Sequence, residues 1–118
     1  MKLVRSFIYA AQGFAYCIRH ELNFRIHLLA TIVVVLMGVF LHCSNNEWLI
    51  LLIHITLVLS FEMFNTAIER ISNQFGTGKN GNIKIIKDVS AGAVLLAATT
   101  AIISAAIIFV PKIIYYFS

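Results

Sequence analysis

Residues 89–110 carry no charged side chain, so 22 consecutive positions are apolar or small and neutral. A helix needs about 20 predominantly apolar residues to cross the hydrocarbon core of a bilayer, where it satisfies its own backbone hydrogen bonds. Residues 25–43 and 48–69 meet the same requirement with only a few polar interruptions. The sequence therefore predicts an all-α membrane protein with three transmembrane helices. Its composition is 60% hydrophobic and 12% charged, with a mean hydropathy of +0.90, which excludes an ordinary soluble domain. Three spans fill most of the 118 residues, so residues 1–118 read as one domain.

Ahead of the first span, Leu3, Val4, Phe7, Ile8, Ala11, Phe14, Ala15, Ile18 and Leu22 recur mainly at spacings of three and four. That pattern predicts an amphipathic surface helix over residues 1–24. Charges scattered from Lys2 to Arg25, with no compact apolar core and small-residue cleavage site, argue against a removed signal peptide.

The basic residues predict an orientation, because short loops rich in Lys and Arg stay in the cytoplasm. Lys2, Arg5, Arg19 and Arg25 precede the first span, and Arg70, Lys79, Lys84 and Lys87 fall between the second and third. Only Lys112 lies on the other side. The N-terminus and the 70–88 loop are expected in the cytoplasm of a bacterial cell, the C-terminus outside. This asymmetry, facing anionic headgroups, accounts for the +4 charge without a nucleic-acid partner. Cys17 and Cys43 are then on opposite faces, which disfavours a disulfide, and neither has metal-site spacing.

The second span is not uniformly apolar. Asn65, Thr66 and Glu69 fall within roughly 60° of Glu62 on a helical wheel, and the four form a polar stripe. A carboxylate near hydrocarbon is costly and marks a functional site by default. In the expected topology Glu21, Arg25, Lys87 and Asp88 lie at the same membrane face. Such a cluster suits a reaction between a soluble anion and a membrane-embedded molecule. Glu21 and Glu69 can hold Mg²⁺, which takes one or two protein carboxylates together with phosphate oxygens and water. Lys87 can neutralise phosphate, Asp88 can bind nucleotide or hold Lys87, and Glu62 is placed to accept a proton from a lipid hydroxyl. Taken singly, Glu69–Arg70 and Glu21–Arg25 also read as interfacial ion pairs.

Other features read as structural. Ser44 and Glu47 have capping-box spacing at the start of the second span. Ala93, Ala97, Ala101 and Ala105 form a ridge for close helix packing. His54 suits helix packing or hydrogen bonding, while His20, His27 and His42 fit interfacial positions rather than a metal site. Trp48, Tyr115 and Tyr116 suit an aromatic belt. Pro111 is expected to end the third span. Gly76, Gly78 and Gly81 predict a flexible connection, but Asn73 and Asn80 occupy positions where a phosphate-binding loop needs Gly and Ser or Thr.

At Glu21-Leu22-Asn23-Phe24-Arg25, at Glu62-Met63-Phe64-Asn65-Thr66-Ala67-Ile68-Glu69 and at Lys87-Asp88-Val89-Ser90-Ala91-Gly92, the chain resembles the prokaryotic diacylglycerol kinase and undecaprenol kinase family. The resemblance implies a homotrimer of three-span subunits with sites shared between neighbours, ATP as co-substrate and Mg²⁺ as cofactor. It implies Glu62 as general base, Glu21 and Glu69 as metal-binding carboxylates that also meet the nucleotide, and Asn65 as a polar active-site partner. Lys87 and Asp88 take nucleotide-contacting roles by the same resemblance, and Arg5 and Tyr9 a looser role toward substrate. The string from Glu21 to His27 resembles the undecaprenol branch more closely, with diacylglycerol as the alternative acceptor. The chain departs from the family pattern at residues 72–82. A small proton-coupled transporter using Glu62 is the competing reading, although its usual pattern has four spans with the Glu in the first. A non-catalytic membrane subunit is a third.

Overall fold

The computed structural model describes residues 1–76 and 81–118, and the described residues form four helices. These are α1 (Lys2–His20), α2 (Leu22–Phe40), α3 (Asn45–Asn73) and α4 (Gly81–Tyr116). The last three are long and apolar enough to cross a membrane. At about 1.5 Å per residue α3 and α4 extend roughly 44 and 54 Å, beyond a hydrocarbon core of about 30 Å.

A single residue joins α1 to α2. Glu21 adopts an extended conformation (φ −117°, ψ 108°); its N–H donates to the Cys17 carbonyl and its own carbonyl accepts from Arg25. The corner closes on apolar groups. Phe24 is 0% exposed and meets Phe14 edge to face, with ring centroids 5.2 Å apart. Most of α1 before this corner, from Leu3 through Phe7, is exposed, as an apolar face resting on lipid would be.

The α2–α3 turn places His42 in the left-handed region (φ 56°). Ser44 then caps α3 as its spacing predicts: its hydroxyl accepts from the Glu47 N–H at 3.2 Å, and the Glu47 carboxylate accepts from the Ser44 N–H at 2.8 Å. Glu47 also meets Lys112 at 3.0 Å, tying α3 to the far end of α4.

Two sequence expectations are corrected. Most of the expected 70–88 loop is helix, since α3 persists to Asn73 and α4 begins at Gly81. An exposed Lys84–Asp88 pair spans one turn of α4, and the buried Ile83 packs beside Gly76, the kind of i,i+4 support and apolar contact that extends a helix. Gly76 has φ +144°, a conformation that side chains rarely adopt. Gly78 and Lys79 lie outside the described residues. Nor does Pro111 end α4, which continues to Tyr116. Proline removes one donor and crowds the preceding turn. Here the last turns are held by Lys112 on Glu47, by Ile113 on the core and by Tyr116 against Phe40.

The core at this end is Leu51, Ile108 and Phe109, surrounded by Val34, Met37, Trp48 and Ala105. α3 and α4 make the most extensive contact of any helix pair. Ala97, Ala101 and Ala105 are half-buried, whereas Ala93 is exposed. In mid-span the His54 ring bonds to Ser104 across α3 and α4 at 3.0 Å, the hydrogen-bonding role expected of it.

Candidate active site

The polar stripe of α3 turns inward. Glu62 is 2% exposed, and Asn65 and Thr66 are also buried, while Glu69 is half-buried one further turn toward the helix end. The Thr66 hydroxyl donates to the Glu62 carbonyl at 3.1 Å, so it satisfies itself within the helix. Asn65 donates its amide to the Glu69 carboxylate at 3.2 Å, which orients that carboxylate.

Neighbouring elements complete the surroundings. The α1–α2 corner brings Glu21 close enough for its charge, like that of Glu69, to act on Glu62. His27, one and a half turns into α2, faces Glu62 directly, with Nε2 3.6 Å from Oε2. Cys17 of α1 is buried beside the Thr66 hydroxyl; burial pushes its thiol pKa up, the Thr66 contact opposes this, and the charges of Glu21 and Glu62 reinforce it.

The interfacial ion pairs do not form. Arg70 turns from Glu69 and donates to the Tyr16 hydroxyl, its guanidinium lying 5.2 Å from the Tyr16 ring centre. Arg25 reaches the Arg19 carbonyl instead of Glu21. Among the described residues neither Glu21 nor Glu69 pairs with Lys or Arg. Two carboxylates at one corner are thus left for other cations.

The basic partners also differ from expectation. Asp88 pairs with Lys84, and Lys87 donates to the Asn73 side chain at 2.6 Å, so Asp88 does not hold Lys87. The contact with Asn73 joins the start of α4 to the end of α3, on the same end of the bundle as the stripe. Arg5 and Tyr9 stay apart, two or more turns before Cys17, with Tyr9 65% exposed. His27 is the main residue that sequence reasoning missed. Its proximity to Glu62 depends on how α2 and α3 pack, while the pairing of Lys84 was readable from its i,i+4 spacing to Asp88.

The donor set around Asn65 fits a hard cation. Asn65 Oδ1 is buried without a hydrogen-bond partner among the described residues, beside a carboxylate and near a second. Mg²⁺ favours such oxygen ligands and needs few of them from protein. Among the described residues no cluster of three or more His, Cys, Asp or Glu gathers as a complete metal cage, so phosphate oxygens and water would have to supply the remainder.

Three membrane-length helices, one of them carrying a buried carboxylate, define a multi-pass membrane protein. A profile of the prokaryotic diacylglycerol kinase family matches residues 8–109, and the chain belongs to that family of lipid kinases. It is 33% identical over 112 residues to an undecaprenol kinase of Bacillus subtilis, covering 95% of this chain and 91% of the relative. It is 34% identical over 113 residues to a diacylglycerol kinase of a Synechocystis species, covering 95% of this chain and 65% of that relative. Family membership decides for a lipid kinase over the transporter and the non-catalytic subunit.

Proposed function

We propose that this kinase transfers the γ-phosphoryl group of ATP to the hydroxyl of undecaprenol in a Mg²⁺-dependent reaction. Diacylglycerol is the alternative acceptor. The observation that carries the reading is the buried Glu62 carboxylate, flanked by Glu21 and Glu69 that the described lysines and arginines leave unpaired. The preference for undecaprenol rests on the undecaprenol kinase relative matched over 91% of its length and on the string from Glu21 to His27.

Phosphoryl transfer asks little covalent chemistry of a protein and depends on positioning and charge neutralisation. Glu62 supplies the basicity that the lipid hydroxyl requires, protected from bulk water by its burial. Glu21 and Glu69, the latter oriented by Asn65, would hold Mg²⁺. When bound, the ion supplies neutralisation of phosphate charge. Lys87 provides a second positive charge toward the nucleotide, and Asp88 contributes to its binding. A homotrimer in the cytoplasmic membrane, with the N-terminus inside and the C-terminus outside, would supply Arg5 and Tyr9 to sites shared between subunits.

Purified protein in lipid with labelled ATP and Mg²⁺, offered undecaprenol and diacylglycerol separately, tests the reading. Label is expected in undecaprenol. Label in neither lipid, with the helices intact by circular dichroism, would end the proposal.

A further inference from the structure

Polar side chains at two consecutive positions fasten α1 to α3. Cys17 meets the Thr66 hydroxyl, and the Tyr16 hydroxyl accepts from the Arg70 guanidinium, which lies 5.2 Å from the Tyr16 ring centre. Thr66 and Arg70 are four residues apart, so they share one face of α3. Tyr16 is also held from its own helix. His20 stacks on its ring with centroids 4.3 Å apart and an interplanar angle of 22°, and His20 Nδ1 donates to the Tyr16 carbonyl at 3.1 Å. Both ends of this fastening adjoin a carboxylate of the candidate metal pair, since Glu69 precedes Arg70 and Glu21 follows His20.

The choice of partner is unusual for an arginine. Its guanidinium is charged at every accessible pH, and its planar fork of donors matches a carboxylate. Glu21 and Glu69 are close at hand and pair with no described Lys or Arg, yet Arg70 takes a neutral phenol. Consecutive helical residues point about 100° apart, so Arg70 projects toward α1 while Glu69 is held by Asn65 at 3.2 Å. The Tyr16 hydroxyl and ring face seat the cation without consuming an anion. Along α1 and its corner the sequence offers one carboxylate, Glu21. A guanidinium released from Tyr16 would close on it.

We propose that Tyr16 and Arg70 form a clasp that positions the metal-binding carboxylates, holding the end of α1 against α3 and keeping the guanidinium off Glu21. Both are positioning residues, acting through Glu21 and Glu69. The inference rests on the kinase reading and deepens it. It predicts a definite asymmetry between the two partners. Loss of the Tyr16 hydroxyl loosens the clasp and also frees a competing cation, whereas loss of Arg70 loosens the clasp alone.

Wild type, Y16F, R70Q and the double variant would be compared in lipid for Mn²⁺ binding by electron paramagnetic resonance. A non-hydrolysable ATP analogue is present, no lipid acceptor is added, and a protein-free sample of the same analogue is subtracted. Thermal stability and the Mg²⁺ titration of undecaprenol phosphorylation are measured alongside. Y16F keeps the ring and is expected to raise the Mn²⁺ and Mg²⁺ half-saturation concentrations by about ten- to a hundredfold, as loss of a group that orients metal ligands does, with kcat retained at saturating Mg²⁺. R70Q is expected to shift them less than Y16F, and the double variant to match R70Q. A clasp that only braced α1 would lower thermal stability alike in both single variants and leave Mn²⁺ binding where it was. That result, or shifts that simply add in the double variant, would overturn the inference. Should R70Q fail to fold, an unshifted Mn²⁺ half-saturation in Y16F overturns it by itself, and a shift of the stated size supports it. A wild type that binds Mn²⁺ yet labels no lipid would instead remove the underlying kinase reading.

Discussion

Gly38→Ala sets two effects of known size against each other. Gly38 is buried where α2 crosses Trp48, and a Cβ there would lie 2.6 Å from Trp48 Cη2, 2.8 Å from Cζ2 and 3.2 Å from Cζ3. Carbon atoms pack at about 3.5–4.0 Å, so the indole must retreat by roughly 1 Å. Overpacking of this kind costs about 1–3 kcal/mol. The same change removes a helical glycine, which by itself stabilises by about 1 kcal/mol. The clash should win, leaving a net loss of up to about 2 kcal/mol. In a Trp48→Phe background, which lacks the outer edge of the indole, only the propensity gain remains and Gly38→Ala should become neutral or stabilising. The measurement is a double-mutant cycle by reversible denaturation in mixed micelles, with an expected coupling of about 1–3 kcal/mol. Because the contact lies about 16 Å along α2 from His27, kcat of the folded protein should be retained. An effect of the same sign and size in both backgrounds would refute the packing argument.

The site makes further predictions. Glu62→Gln removes the basic carboxylate while keeping its shape, so transfer should fall by at least about 10²-fold with the helical circular dichroism spectrum unchanged; substantial remaining activity would remove Glu62 from the chemistry. Chelation of divalent cations should stop lipid phosphorylation and added Mg²⁺ should restore it. Glu69→Gln and Asn65→Leu should each raise the Mg²⁺ concentration for half-maximal rate by about ten- to a hundredfold, and an unchanged Mg²⁺ titration would separate these residues from the metal. Burial is the main cause of the raised Cys17 thiol pKa, so less thiolate is present near neutral pH than for a free cysteine. Alkylation of Cys17 should therefore be slow, with its pH midpoint shifted alkaline, and should accelerate on denaturation; a midpoint at the ordinary thiol value in folded protein would contradict the packing of α1 on Thr66.

Periodicity within one helix was legible wherever it was strong. The three spans, the capping box of Ser44 and Glu47 and the inward polar stripe all follow from residue spacing along a single element. Helix ends were less legible. Pro111 and the glycines read as breaks, yet α4 runs from Gly81 through Pro111, because packing around Ile83, Ile113 and the Glu47–Lys112 pair outweighs local propensity.

The sequence by itself determined that this chain enters a membrane, with most of its basic residues on one side of the spans and its deepest carboxylate on the second span. Hydrophobic length, loop charge and the 3.6-residue repeat are properties of the linear order. Only the tertiary structure decided which side chain faces that carboxylate. Placing His27 3.6 Å from Glu62, turning Arg70 to Tyr16 rather than to Glu69, and seating Trp48 on Gly38 all depend on the crossing and register of separate helices. Register between helices is set by how their surfaces interlock, and a repeat along one helix carries no record of its neighbour.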